Sequence, residues 1–134
     1  ISQMEKIRTP FYLYDMELLA ESVSEMVRLS AQYGISAHYA VKANAEDRIL
    51  RYVASKGLGA DCVSGNEVLA ALASGFPPEK IVFAGVGKTD EEIETAVGNG
   101  IFSGNRSHRR YRRKNGEKSG DHGQDKPEHR CPYP

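Results

Sequence analysis

Short β-branched, apolar runs alternate with amphipathic stretches of helical spacing along this chain, and the runs begin roughly twenty residues apart. A strand–helix rhythm of that period constrains the fold more than any other feature, because it builds parallel βα units. Asp15 is placed to cap a first helix carrying Leu18, Leu19, Val23, Met26 and Leu29, and Gly34 to end it. Residues 35–41 have the composition of a strand. A helix over about 45–56 follows, closed by Gly57, and then a strand over 58–63. Ser64 and Glu67 have capping-box spacing and open a helix that Gly75 and Pro77-Pro78 stop. Residues 81–84 read as a third strand, and Thr89 with Glu92 forms a second capping box. A fourth strand is expected to begin at 100–102.

The predicted strands are apolar on both faces, as in a sheet covered by helices. Two architectures satisfy this: an open doubly wound sheet, or a (β/α)8 barrel. A barrel needs about 250 residues, and the chain has 134, so it could supply at most the first half of one.

The rhythm stops near residue 102. Residues 103–134 hold almost no aliphatic side chain, begin with a basic run from Arg106 to Lys114, and continue in Gly, Lys, Asp, His and Pro. Such a segment buries too little apolar surface to offset its ordering entropy, so disorder is expected there. Residues 1–102 and 103–134 therefore read as separate parts. Over the whole chain, 18 basic and 18 acidic residues cancel, which gives no reason to expect nucleic acid or membrane partners. No apolar run approaches the ~18–20 residues of a membrane span, and residues 1–6 lack the apolar stretch of a secretory signal. Cys62 and Cys131 fit neither a disulfide framework nor a metal spacing, and a reducing, cytoplasmic setting is expected.

In either architecture the functional edge is the C-terminal end of the strands. Lys42 follows Tyr39-Ala40-Val41 and so emerges from a packed strand. Partial desolvation there would lower its pKa and favour the nucleophilic amine that Schiff-base formation needs. The alternative is a strand-end lysine with its ammonium in water. Asp61 lies inside the apolar run 59–63, where a carboxylate needs a partner, either Lys42 on the neighbouring strand or a local backbone turn. Glu67 reads as the capping partner of Ser64. The glycine-rich segment 85–88 is a weak anion-binding signal. His38 is expected to pack in the first strand, and Cys62 to behave as a small buried hydrophobe.

Two segments, Thr9-Pro10-Phe11-Tyr12-Leu13-Tyr14-Asp15 and His38-Tyr39-Ala40-Val41-Lys42-Ala43-Asn44, resemble the opening of the alanine-racemase-like barrel of group IV decarboxylases. Gly59-Ala60-Asp61-Cys62-Val63-Ser64-Gly65-Asn66-Glu67 and residues 83–92 continue the likeness, which is nearest to the diaminopimelate decarboxylase branch. The resemblance covers about residues 9–102. It implies the N-terminal part of a (β/α)8 barrel that binds pyridoxal 5'-phosphate, with Lys42 as the Schiff-base lysine and Asp61 as the acid close to it. It also implies decarboxylation of meso-diaminopimelate to L-lysine by a homodimer. An ornithine- or arginine-type decarboxylase and a non-catalytic barrel fragment are the alternatives. The family's ring-stacking histidine, phosphate loop, pyridine-facing acid and partner-subunit cysteine belong to later segments, and a half barrel leaves unpaired sheet edges and an open core, so the 134-residue chain alone is expected to be inactive and poorly stable.

Codons permitted for residues 124–133, read one base later, can spell RINPNIDAHT, which resembles an Arg-Ile-Asn-Pro segment of the same family. A shift of reading frame near codon 102 is thus an expectation beside disorder.

Overall fold

The computed structural model describes residues 7–101. Asp15 starts the first helix: its carboxylate accepts the N–H groups of Glu17 and Leu18, each at 3.0 Å, and α1 (Met16–Tyr33) runs from it. Gly34, left-handed at φ 63°, ends α1, and its N–H donates to the Ser30 carbonyl. Next come β1 (His38–Ala40), a 3-10 turn (Val41–Ala43) and α2 (Asp47–Ser55). The chain continues as β2 (Gly59–Cys62), α3 (Gly65–Ala73), a second 3-10 turn (Pro78–Lys80), β3 (Ile81–Phe83) and α4 (Asp90–Gly98).

The strands are shorter than their composition suggests. Residues 35–36 have strand-like side chains but no place in the register, which begins at His38↔Gly59; the Ala37 carbonyl accepts the Gly59 N–H at 2.9 Å as the first tie. Ile35 is 61% exposed, and Val41 has already turned into the 3-10 turn. A β-favouring residue becomes a strand only where another strand supplies its hydrogen bonds.

The sheet is parallel and ordered β1-β2-β3, with Ala40 beside Asp61 and Asp61 beside Val82. Because side chains alternate across a strand, Ala40, Asp61 and Val82 share one face. Tyr39, Ala60, Ile81, Cys62 and Phe83 lie on the other. That second face carries the core. Val41, Leu50, Val53, Val68, Ala71, Phe76, Ala96 and Ile101 pack with Ala60, Cys62, Ile81 and Phe83 in one buried cluster. Each large side chain buried this way contributes about 1.5–3 kcal/mol.

That leaves one face of the sheet without a helix cover among the described residues, which bears on the two architectures the strand pattern left open. On the first face Val82 is 42% exposed and Val63, just past β2, is 40% exposed. Consecutive strands stay neighbours, and their helices stay on one side. A doubly wound sheet would reverse its strand order and cover both faces; this one winds in a single sense, as a barrel wall does.

Ile101 is fully buried in the core, but the fourth strand expected over 100–102 runs out of the described residues. The tail, expected to be disordered or frame-shifted, also lies outside them. Among the described residues no helix is long and apolar enough to cross a membrane.

Candidate functional site

The C-terminal rim of the sheet is built by three turns. After β1, the 3-10 turn carries Lys42 between buried Val41 and exposed Ala43. Asn44 closes it, donating its N–H to the Val41 carbonyl at 3.1 Å. Asn44 also accepts the Glu46 N–H on Oδ1 at 2.9 Å, and its own carbonyl accepts the Tyr39 hydroxyl at 3.1 Å.

After β2, Ser64 accepts the Glu67 N–H at 3.3 Å, as expected for an N-cap. The reciprocal arm goes elsewhere. Glu67 accepts the N–H of Val63, not of Ser64, at 2.8 Å. A contact that sequence reading missed completes this turn: Glu92, from α4, accepts the Gly65 N–H at 2.7 Å. Gly65 has no room for a side chain, since a Cβ there would stand 2.9 Å from Glu92 Cγ. Glu92 meanwhile closes its own capping box, accepting the Thr89 N–H at 3.0 Å. The Gly65 and Thr89 donors hold its carboxyl below the usual glutamate range.

After β3, the loop 84–88 does not present a free cation. Lys88 Nζ donates back to the Gly85 carbonyl at 2.5 Å and lies 4.7 Å from the centre of the Phe83 ring. Partial burial lowers the Lys88 pKa.

Lys42 and Asp61 come to the same rim but not to each other. Lys42 is exposed, which corrects the expected partial desolvation: Val41 carries the burial, and the lysine side chain leaves the turn into solvent. Asp61 is half-buried, and its Oδ1 is shielded from solvent with no hydrogen-bond partner. Of the two partners expected for Asp61, the Lys42 ammonium is not one among the described residues: the ion pairs there are Arg28–Glu25 and Arg51–Asp47. Beside Asp61, Cys62 is buried as expected, its thiol pushed up to about 12 mainly by burial, with smaller contributions from Glu67 and Asp61. His38 lies in β1 but is exposed, its ring against Gly59.

An orphaned buried carboxylate oxygen at the same rim as a strand-end lysine is an incomplete polar site. The family model for the pyridoxal-binding domain of pyridoxal-dependent decarboxylases matches residues 19–107, which takes in every element of this rim. The chain belongs to this family. It is 48% identical over 103 residues to the diaminopimelate decarboxylase of Bacteroides thetaiotaomicron, an alignment covering 76% of this chain and 27% of that one. Its fold is similar to the Helicobacter pylori diaminopimelate decarboxylase solved with L-lysine, with a TM-score of 0.63, 38% identity, and coverage of 75% and 25%. The ornithine decarboxylase of Entamoeba histolytica is more distant, with a TM-score of 0.55, 29% identity, and coverage of 62% and 25%. The chain spans about a quarter of the length of the relatives it matches. As a pyridoxal-dependent decarboxylase segment, its three parallel units are the first wall of a (β/α)8 barrel, and the group its family binds is pyridoxal 5'-phosphate.

The residues present fit the anchoring end of that cofactor. Lys42 offers a reachable amine, and Asp61 Oδ1 is an acceptor awaiting a donor.

Proposed function

We propose that this chain supplies the cofactor-anchoring wall of a carbon–carbon lyase that decarboxylates meso-diaminopimelate to L-lysine in lysine biosynthesis, with Lys42 as the cofactor lysine and Asp61 as its neighbouring acid. The observation that carries the reading is the register Ala40↔Asp61, which sets the turn bearing Lys42 at the same sheet end as a buried, partnerless carboxylate oxygen. Pyridoxal phosphate, when bound, supplies an electron sink for the pair released as carbon dioxide leaves. Lys42 holds the cofactor through its amine. Asp61, kept from water on one oxygen, accepts a hydrogen bond from whatever donor enters beside it.

The diaminopimelate substrate rests on the relatives: identity is higher to the diaminopimelate enzymes than to the ornithine enzyme. A homodimeric assembly, a cytoplasmic setting and a barrel boundary at residue 102 belong to the same proposal. Resequencing the coding DNA across that boundary tests the last of these.

The test of the reading is a peptide map of the full chain after treatment with pyridoxal 5'-phosphate and borohydride. The added mass is expected on Lys42 and is lost in Lys42→Ala; a map with the mass spread evenly over exposed lysines overturns the assignment. Whether the wall supports the reaction is tested in a chimaera in which residues 9–102 replace the matching segment of the Bacteroides relative. Carbon dioxide release from meso-diaminopimelate, but not from ornithine or arginine, is expected.

A further inference from the structure

We propose that Tyr39 is the positioning residue for Lys42, fixing from behind the sheet the turn that carries the lysine. The inference rests on the reading of Lys42 as the cofactor lysine. The Lys42 side chain makes no hydrogen bond of its own among the described residues, so the backbone of the Val41–Ala43 turn alone sets the point and Cα–Cβ direction from which it leaves. A single 3-10 turn is a weak holder, with one internal bond and poor hydrogen-bond geometry. Here the Asn44 N–H donates that bond to Val41. The Tyr39 hydroxyl adds a second tie, reaching past the lysine to the Asn44 carbonyl at 3.1 Å. One residue before the turn's first member and one after its last are thereby held, since Ala40 is in the ladder and Asn44 is clamped.

Tyr39 can do this because its ring packs against the buried core, which anchors the phenol to the rigid side of the sheet. It lies on the opposite face from Asp61, since its register partner is Ala60. It therefore reaches the rim through the Asn44 carbonyl and acts through the backbone. Burial, with a smaller effect from nearby Tyr14, raises the phenol pKa and keeps the proton it donates.

The experiment compares the full chain with Tyr39→Phe, which keeps the ring and removes the donor, and with 4-aminophenylalanine at position 39, which restores one. Pyridoxal 5'-phosphate with borohydride is the probe, and trapping at Lys42 is read as a ratio to trapping at exposed Lys56. The ratio is expected to fall on the order of fivefold in Tyr39→Phe, the scale of one hydrogen bond, and to recover with the amino analogue. In the cofactor-free chain, Tyr39→Phe is also expected to speed exchange of the Asn44 amide. A general loss of stability would lower the melting temperature without moving the ratio. An unchanged ratio in folded Tyr39→Phe, or no recovery with the amino analogue, overturns the proposal. Should Tyr39→Phe not fold, the unaltered chain decides: a protected Asn44 amide supports the clamp, and exchange at the unprotected rate overturns it. If Lys42 is not trapped even in the unaltered chain, the cofactor-lysine reading fails, while Asn44 exchange still tests the clamp.

Discussion

A methyl group on residue 59 would overlap the His38 ring and stand 2.6 Å from the carbonyl oxygen of Lys80. The ring can turn aside, but the carbonyl belongs to the backbone leading into β3 and moves only with the strand. Gly59→Ala is expected to cost about 1–3 kcal/mol, read as a lower urea midpoint at unchanged slope. Nothing in the sequence marks this glycine, because its need comes from a neighbour on β1 and another in the turn before β3, and not from a left-handed dihedral. Cys62 shows the opposite case. An isolated cysteine in an apolar run already reads as a buried hydrophobe, and the fold agrees. Only the thiolate is a nucleophile, so a thiol pushed up to about 12 is expected to resist alkylation at about pH 8 until the fold opens. Peptide mapping after iodoacetamide distinguishes it from Cys131, which lies outside the described residues. Rapid native-state labelling at Cys62 would contradict this.

Helix ends were the most legible elements. Asp15, Ser64 and Thr89 each cap the helix their spacing marks, because capping involves residues two or three apart and local chemistry suffices. The partners of Glu67 and Glu92 were less legible. Glu92 matches its capping box, yet one oxygen crosses to Gly65, twenty-seven residues away, and joins the N-termini of α3 and α4. That link has a pH signature. Glu92 is held below its ordinary value of 4.5, so folding binds fewer protons there than unfolding does. Its stabilisation is fully present above 4.5 and fades as pH falls through the lowered folded value. Glu92→Gln is therefore expected to narrow the gap in urea midpoint between neutral and acid conditions, while Thr89→Ala, which removes the N-cap acceptor, costs about 1 kcal/mol at neutral pH. An unaltered pH profile in Glu92→Gln would count against the link.

At the level of the whole molecule, the period of the sequence was enough for parallel βα units but not for the choice between barrel and doubly wound sheet. Both give apolar strands. The decision lies in strand order and in which face the helices take, and these are matters of register between distant segments. The same limit applies to the site: Lys42 and Asp61 could each be picked out, whereas their separation at the rim depends on a bare face that no local pattern announces. That face carries Val63 and Val82, and a hydrophobic dye is expected to bind the chain there. Val63→Ser together with Val82→Ser should reduce the dye signal and leave the melting temperature nearly unchanged, because both side chains already meet solvent. A large drop in melting temperature would place them in the core instead.

Strand order also bears on synthesis. β2 and β3 each pair with the strand translated just before, and α2, α3 and α4 pack back on the wall already made. A nascent chain of this kind can lay each new strand against one already outside the ribosome, which shortens the time for which exposed edges invite aggregation. The wall assembles in the direction of translation, and the edge of β3 is its growing end.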